Sequence, residues 1–530
     1  MLYNRRTLNE NMEDVDPVTT TVRTTEIKVF ALFLALAAVS RVHTFFLTVI
    51  DWDETTYALL ASSLLHGHLP YTQIWDNKPP LLYLVYAFFQ LISGDSVFSI
   101  RLLAVVFTAG NAYMIRRIGL RFWTDGRPML AGLLYLAVSL TNGGLSSNSE
   151  HIFMFFALTG FWLLLAKPRH AGDGYTRMAW AGFFFGLAFQ VKYFALTDTL
   201  AGLAGYALCV PPGGWRALRD RSVRTALLIT CATFGAVSLL VVLIIWLCGI
   251  WPQYWDANFV ANSTRAVLIR WDLQVVADSL IHQLRTHPLL WICFAIQVFT
   301  VIRGRDSFPR LRTACILWII LDFLAILSTR SFYHHYYLPL FPGLCLLSAD
   351  CLQTVWRWLK RAGQLDRVAQ IAVALLVVLP LGWQIYAAYR FSVAHTVARP
   401  PARLFQYWDT PAEVADYLRA RLQPGETIYV ADYHHVIYFL LHVDPPTRYV
   451  GPPFVIGFED MDRIAGVDGI AELDRIMARQ PAFVVSSRGY GLGRPEYYEA
   501  LDAHLSRSYA LDGRIGPVAI YRRVHPAPTP

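Results

Sequence analysis

The apolar positions of this chain fall into long runs that short basic pieces separate. Uncharged runs near 20 residues predict membrane-spanning helices, because the hydrocarbon core of a bilayer requires about 20 helical residues. We predict eleven spans, at 27–49, 97–115, 128–142, 151–166, 178–193, 195–210, 225–249, 287–302, 313–328, 336–355 and 368–389. Two of these are short, and 178–210 could form one bent span. No small-residue cleavage site follows the first run, which predicts an uncleaved anchor.

The loops between the predicted spans indicate how the chain is oriented. All the arginine and lysine clusters fall on one side if 79–93 does not cross the membrane, and they surround Arg117, Arg177, Arg219, Arg310 and Arg361. Such clusters mark the cytoplasmic face. The run from Lys78 to Ser93 has only about 16 residues, which is short for a span. We therefore predict a juxtamembrane or re-entrant helix there, on the outer face.

The pattern changes after about residue 400. Helical periodicity in PAEVADYLRARLQPGE and IAELDRIMARQ alternates with the short β-type runs ETIYVADY, PAFVVSSR and GPVAIYRR. This alternation predicts a small α/β domain outside the membrane. The predicted division is a cytoplasmic tail at 1–26, a membrane domain at 27–399 with an outer loop at 50–96, an outer α/β domain at 400–525 and a tail at 526–530.

Composition agrees with a polytopic α-helical membrane protein. Hydrophobic residues make up 55% of the 530 positions and charged residues only 16%, where a soluble protein has about a quarter. The net charge of +8 does not indicate nucleic-acid binding, because the basic residues lie between apolar segments and form no continuous face. The seven cysteines include no CxxC pair, which argues against a disulfide framework or a zinc site.

The first outer loop begins with three carboxylates in four positions, Asp51, Asp53 and Glu54. The segment that follows has helical periodicity and Gly67 as a stop signal. Asp53 could act as the helix N-cap, or it could serve as a general base at the interface. Capping accounts for one carboxylate but not for three at a hydrophobic boundary, where anions are costly. We therefore favour function for this cluster.

Three motifs in this order and spacing resemble a known family. DWDETTYALLASSLL, NKPPLLYLVYAF and SIRLLAVVF are similar to the dolichyl- or polyprenyl-phosphate-sugar-dependent glycosyltransferases. That group includes the protein O-mannosyltransferases and the lipid A aminoarabinose transferases, which have the integral-membrane GT-C fold. The similarity continues through GLAFQVKY and HHYYLPLFPGLCLLSA, and it covers roughly residues 28 to 355.

The resemblance implies an inverting glycosyltransferase with a polyprenyl-phosphate-linked sugar donor. The family's acidic pair falls on Asp53 and Glu54, so Asp53 would take the proton from the acceptor hydroxyl. Asp51 is an additional carboxylate and a competing candidate for this role. The acceptor could be a lipid, a lipopolysaccharide or other envelope glycan, or a protein hydroxyl. Because the chain has no large β-rich insertion, the resemblance favours a bacterial inner-membrane enzyme with its site on the periplasmic face.

Lys78 precedes Pro79 and Pro80 in the first outer loop. Transfer of a sugar from a phosphate ester requires positive charge on the leaving group. The prolines suit a helix start but remove two N–H donors, so the lysine would carry more of the anion binding there. The alternative is a lysine that extends its ammonium group to the interface for solvation.

Six further residues complete the candidate site. Glu150 could orient the acceptor, support Asp53 or help to hold a divalent cation; otherwise it favours the positive end of a helix. Contacts with phosphate or sugar are predicted for Lys192, Tyr333, Arg330, His334 and His335, and an aromatic interfacial belt is the alternative. Adjacent histidines face different ways, so this pair is poor evidence for a metal site. We predict no metal ligands and no certain cofactor.

Two other protein classes remain open. A transporter or lipid flippase would carry ionisable residues near the middle of its spans, often with broken helices and repeated halves. Here the acids cluster at span ends on one side, and the sequence shows no repeat. A catalytically silent envelope scaffold would tolerate the loss of Asp53.

Overall fold

The computed structural model describes residues 17–166, 173–211, 214–304, 309–361, 409–488 and 493–524, together with six separate helical positions between 371 and 386. The membrane part is a helical bundle. Its helices are α1 Pro17–Arg41, α2 Trp52–Leu65, α3 Leu81–Ser93, α4 Val97–Gly119, α5 Arg127–Val138, α6 Ser149–Leu165, α7 Asp173–Phe189, α8 Ala195–Cys209, α9 Arg221–Leu247, α10 Trp251–Trp255, α11 Ala261–Leu268, α12 Leu273–Thr286, α13 Pro288–Ile302, α14 Pro309–Thr329 and α15 Phe341–Arg361.

Ten of the eleven predicted spans coincide with helices, and the eleventh, 368–389, lies largely outside the described residues. The 178–210 segment forms two helices, α7 and α8, rather than one bent helix. Five of the described helices are long and apolar enough to cross a membrane, and α12 with α13 forms a further pair bent by 99°. Some of the predicted spans form helices too short to cross a bilayer, such as α5 with 12 residues.

The first outer loop is helical, as its pattern predicts. Its second helix, α3, has 13 residues and is therefore about 20 Å long, too short to span the hydrocarbon core. It exposes Leu84, Phe88 and Leu91 while Leu82 and Tyr86 are buried. An apolar exposed face of this kind suits contact with lipid.

Arg41, at the end of α1, fixes the position of the loop between α5 and α6. Its guanidinium is fully buried and donates to the carbonyl oxygens of Ser139 and Gly144, at 3.0 and 3.2 Å. A buried arginine is stable only when such acceptors take its N–H groups. The loop from 139 to 148 is thereby held against the end of the bundle that carries the 50–96 loop, which is the outer end in the predicted orientation.

The C-terminal part is an α/β domain with one four-stranded sheet. Its strands are β1 Ile428–Val430, β2 Phe483–Ser486, β3 Tyr509–Ile515 and β4 Val518–Arg523, in the order β1-β2-β4-β3. The first two strands pair in parallel and the other pairings are antiparallel. Its helices are Thr410–Arg419, Val436–Leu441, Pro453–Ile456, Met461–Ile464, Gly469–Ala478 and Pro495–Ser508.

Sequence patterns miss one strand of this sheet, the edge strand β3. Six of its seven residues, all except the buried Tyr509, are exposed or half-exposed, and the register shifts between Leu511 and Gly513. An exposed, irregular edge strand lacks the alternation that predicts a strand. The three predicted strands correspond to β1, β2 and β4.

The α/β domain packs against the outer end of the bundle through several direct contacts. The Asp409 carboxylate accepts from the backbone N–H and the hydroxyl of Thr48, both at 2.7 Å. The backbone N–H of Trp75 donates to the Arg448 carbonyl at 2.8 Å, and its ring contacts Phe454 edge-on at 4.9 Å. These contacts fix the domain over the first outer loop.

Candidate active site

A cavity of about 820 Å³ lies between the outer end of the bundle and the α/β domain. Side chains from both parts form its wall. The membrane part contributes Asp51, Trp52, Asp53, Thr56, Asp76, Asn77, Lys78, Arg265, His282, Arg285, Tyr333, His334, His335 and Tyr336, and the α/β domain contributes His435, Phe454, Phe458, Glu459, Met461 and Ile464.

Asp51, and not Asp53, is the N-cap of α2. Its Oδ1 accepts the backbone N–H of Asp53 at 3.1 Å, and its Oδ2 accepts from the Asn148 amide at 3.1 Å. The capping alternative for Asp53 is therefore wrong. Asp53 lies inside the first turn with its side chain in the cavity wall, where its Oδ2 accepts from the Tyr57 hydroxyl at 3.0 Å.

The two aspartates differ in their acidity. Burial, together with the neighbouring Asp53 charge, raises the pKa of Asp51. Burial also acts to raise the pKa of Asp53, but the positive charges of Lys78, His335 and Lys192 outweigh it, and the pKa of Asp53 is lowered. Asp53 is therefore the more acidic of the two carboxylates and stays ionised to lower pH than Asp51.

Glu54 points away from the cavity, although it is adjacent to Asp53. Its side chain is fully buried, and Arg101 Nη1 lies 2.6 Å from Oε2. The backbone N–H groups of Ile50 and Ser147 donate to the same carboxylate at 2.8 and 3.0 Å. With its oxygens so occupied, Glu54 can position the start of α2 but does not reach a substrate in the cavity.

Lys78 is the cationic residue of the first outer loop and lies in the cavity wall. Its ammonium group donates to the Asn77 amide oxygen at 2.7 Å and lies 4.0 Å from Asp76. Hydroxyl groups of Tyr71 and Tyr83 donate to its carbonyl oxygen. Burial acts to lower the pKa of Lys78, but the carboxylates of Asp76 and Asp53 outweigh it and raise the pKa. Lys78 is thus held as a cation.

Glu150 and Lys192 form an ion pair with each other. Both side chains are buried, and neither is part of the cavity wall. The ammonium group of Lys192 also lies 4.5 Å from the centre of the Tyr336 ring. The sequence predicts that this pair contacts the substrate directly. The geometry instead favours a role in which the pair supports the cavity wall and contributes to the electrostatic potential inside the cavity.

Arg330 also lies outside the cavity wall, which contains Arg265 instead. The Arg330 guanidinium donates to the carbonyls of Ala266 and Ile269 at 2.8 and 3.1 Å. It thereby closes the end of α11. The helix in turn places Arg265 in the wall, where its guanidinium lies 5.5 Å from the centre of the Tyr333 ring.

Tyr333, His334 and His335 all contribute to the cavity wall but face different neighbours. The ring of His334 packs against His282 at a tilt of 45° with centres 4.5 Å apart, whereas Nδ1 of His335 lies 3.9 Å from Oδ2 of Asp51. The Tyr333 hydroxyl donates to Glu459 of the α/β domain at 3.2 Å. The two histidines thus point apart, as expected for adjacent residues.

Within the part of the chain that the structure describes, no group of three or more His, Cys, Asp or Glu side chains is placed to hold a metal ion.

The sequence patterns do not identify four of the cavity residues, Asp76, Arg265, His435 and Glu459. A signal existed for Arg265, since it is a basic residue in a loop predicted to lie outside, where the charge rule disfavours arginine. The other three depend on tertiary contacts. The wall position of His435 and Glu459 becomes apparent only when the α/β domain is seen against the bundle.

Comparisons with known proteins agree with this architecture. Residues 77–246 match the model of the dolichyl-phosphate-mannose-protein mannosyltransferase family. The crystal structure of ArnT from Cupriavidus metallidurans bound to undecaprenyl phosphate superimposes with a TM-score of 0.64 at 15% identity, over 93% of this chain and 98% of that one. The chain has the GT-C glycosyltransferase fold. It is a polytopic membrane protein, and the resemblance predicted from its sequence is confirmed.

Two further relatives extend the comparison. The undecaprenyl phosphate-alpha-4-amino-4-deoxy-L-arabinose arabinosyl transferase 2 of Pseudomonas fluorescens is 24% identical over 404 residues. This match covers 68% of this chain and 65% of the relative, so the chain spans about two thirds of that protein's length. The archaeal oligosaccharyltransferase AglB from Archaeoglobus fulgidus, in complex with an inhibitory peptide and a dolichol-phosphate, has a TM-score of 0.51 at 13% identity, over 92% of this chain and 73% of that one.

Proposed function

We propose that this protein is an inverting glycosyltransferase that moves a monosaccharide from a polyprenyl-phosphate donor to a hydroxyl-bearing acceptor. The observation that carries the proposal is the charge arrangement of the cavity. An ionised carboxylate, Asp53, shares one wall with two cations, Lys78 and Arg265. Sugar transfer from a phosphate ester requires this combination, a base for the acceptor and positive charge for the departing phosphate.

Each residue has a defined role in the proposed reaction. The Asp53 carboxylate removes the proton from the acceptor hydroxyl as its oxygen attacks the anomeric carbon. The bond from that carbon to the donor phosphate oxygen breaks, and Lys78 and Arg265 stabilise the negative charge that grows on the phosphate. A single displacement of this kind inverts the anomeric centre. Asp51 contributes by capping α2 and fixing the backbone at Asp53.

The proposed donor rests on the fold and on the relatives. A relative with the same fold was solved with undecaprenyl phosphate bound, and the curated relative is named for transfer from that lipid phosphate. The cavity also has an apolar portion, lined by Leu140, Leu145 and Phe458. Apolar surface beside a cationic site suits a lipid chain that ends in a phosphate.

We further propose that the cavity faces the periplasm of a bacterial inner membrane. The basic loops all lie on the opposite side under the predicted orientation, and the α/β domain then lies outside. The favoured acceptor is a lipid, a lipopolysaccharide or another envelope glycan. A protein hydroxyl is the second candidate, because the matching family model is that of protein mannosyltransferases.

The test is transfer of a radiolabelled monosaccharide from polyprenyl phosphate by the purified protein in proteoliposomes. Lipid, lipopolysaccharide and protein fractions should be supplied as acceptors in separate reactions. We expect acceptor-dependent labelling that requires Asp53. Movement of the lipid or sugar across the bilayer without transfer would instead identify a transporter or flippase. Unchanged labelling in Asp53→Asn would refute the assigned base.

A further inference from the structure

His435 of the α/β domain makes direct contact with the helix that carries Asp53. Its Nε2 lies 2.9 Å from the hydroxyl oxygen of Thr56. Its ring also lies edge-on to Trp52, with centres 6.4 Å apart. His435 is only 1% exposed and borders the cavity. An imidazole from one domain is thus inserted against the first turn of α2 in the other.

The contact bears on Asp53 because of helical spacing. Thr56 follows Asp53 by three residues, so both side chains lie on the same side of α2. Trp52 directly precedes Asp53 and packs against His435 as well. The residue before Asp53 and the residue one turn after it are therefore both held by one side chain from the α/β domain.

The imidazole is suited to hold a position and not to exchange protons. Burial lowers the pKa of His435 to about 3, so the ring is neutral at physiological pH. A neutral ring has one fixed donor and one acceptor. Its hydrogen bond to Thr56 then keeps the same polarity near physiological pH.

We propose that His435 is a positioning residue of the α/β domain that holds the first turn of α2, and with it the Asp53 carboxylate, in the geometry required for proton transfer. The proposal rests on the glycosyltransferase function proposed above. It makes the α/β domain part of the catalytic machinery through a residue that need not contact the donor or the acceptor.

Within the membrane part, two contacts position Asp53. Asp51 caps the helix, and Tyr57 donates to the Asp53 carboxylate. These contacts fix the local turn and the side chain, but they do not fix α2 relative to the α/β domain, whose residues form the opposite wall of the cavity. The bond between His435 and Thr56 supplies a polar connection there, beside the ring contacts of His434 and His435 with Trp52. An error of about 1 Å in such a site can cost about 100-fold in rate.

The experiment compares four variants in the full-length protein. His435→Leu removes the hydrogen bond and keeps an apolar side chain of similar bulk. His435→Gln retains a hydrogen-bonding group, the side-chain amide, near the position of Nε2. Thr56→Val removes the partner hydroxyl and keeps the shape of the side chain. The fourth variant combines Thr56→Val with His435→Leu. His504→Ala is the matched control, since His504 is a half-exposed residue of the same domain whose Nε2 lies 2.7 Å from Asp474 of that domain.

Transfer rate, acceptor KM and donor affinity should be measured for each variant. We expect His435→Leu to lower kcat by about 10- to 100-fold with donor affinity and acceptor KM within about twofold of wild type. His435→Gln should recover most of the rate, and the control should equal wild type. The double variant should be no slower than His435→Leu alone, because both changes remove the same bond.

The outcomes separate this proposal from the function on which it rests. A wild-type protein without transfer activity would refute the proposed function. An active wild type with an equally active His435→Leu variant would refute the positioning role alone. Multiplicative losses in the double variant would also overturn it, because they would show independent effects. If His435→Leu fails to fold, the same loss of kcat in Thr56→Val still tests the bond.

Discussion

Arg101 and Glu54 form an ion pair in the interior of the membrane part, with 2.6 Å between Nη1 and Oε2 and no exposure of either side chain. The same guanidinium donates to the carbonyls of Thr44 and Leu47. The pair therefore joins α4 to the end of α1 and to the start of α2. Two adjacent acids in one motif thus differ in their surroundings, since Asp53 borders the cavity and Glu54 is buried in an ion pair.

The first prediction concerns this pair. Glu54→Ala leaves the charge of Arg101 buried without its partner, which typically costs about 3–5 kcal/mol. We expect a large loss of thermal stability in detergent. Glu54→Gln keeps the shape of the side chain and should retain transfer activity per folded molecule. A Glu54→Gln variant that is as stable as wild type but inactive would instead give Glu54 a direct catalytic role.

The second prediction concerns the choice of base. Asp53→Asn keeps the shape of the side chain but cannot accept a proton, so transfer should fall by roughly 10²–10⁴ with donor binding largely intact. Asp51→Asn should cost much less, because asparagine also caps helices well. Rate and donor affinity, measured in nanodiscs, test both. Greater damage from Asp51→Asn would transfer the role of base to Asp51.

The third prediction concerns pH. Asp53 must be ionised to act as a base, and the Lys78 charge helps to lower the pKa of Asp53 below its ordinary value. The rate should therefore persist to low pH in wild type. In Lys78→Ala the pKa of Asp53 rises. The acid limb of the pH profile, in which kcat at saturating donor falls with decreasing pH, should therefore move to higher pH. Lys78→Arg keeps the charge and should leave the limb in place. An identical limb in Lys78→Ala would exclude this coupling.

The order of the spans and the main candidates could be predicted because they are local signals. Apolar runs fix helices through their length and composition, and the motif around Asp53 and Lys78 lies within one loop. Arg265 and Arg330 show the limit of such signals. Both arginines lie in segments predicted to face outward, and only the fold of α11 decides which one borders the cavity.

The contribution of the α/β domain could not be predicted for a related reason. Contacts of His435 with Thr56 and of Glu459 with Tyr333 join positions more than 100 residues apart. Periodicity describes the face of one element but not its partner in another domain. The exposed strand β3 carried even less information, since exposed edge strands have no buried face to reveal them.

The fourth prediction concerns orientation. If the basic loops are cytoplasmic and the α/β domain is outside, cysteines introduced at Leu120 and Gln423 should be labelled from opposite sides of the membrane. Both positions are exposed. The native Cys231 and Cys248, which are also exposed, must first be replaced. Labelling of both introduced cysteines by the same membrane-impermeant reagent in intact cells would refute the proposed topology.

The last prediction separates the two arginines at the donor side. Arg265 borders the cavity, its guanidinium lies over the Tyr333 ring, and its Nη2 donates to the Ser331 hydroxyl at 3.0 Å. Arg330 uses its guanidinium on the carbonyls of Ala266 and Ile269. Arg265→Ala should therefore weaken binding of undecaprenyl phosphate by about tenfold or more, as expected when a charged hydrogen bond to phosphate is lost.

Arg330→Ala is the matched control, because it removes the same charge from the same outer face. It should lower thermal stability by loosening the end of α11, while undecaprenyl-phosphate affinity changes less than in Arg265→Ala. Arg265→Lys should retain part of the affinity, since a lysine carries the charge without the planar fork. Isothermal titration in detergent measures all three variants. A greater loss of affinity in Arg330→Ala, at unchanged stability, would place the phosphate at Arg330 and would restore the assignment made from the sequence.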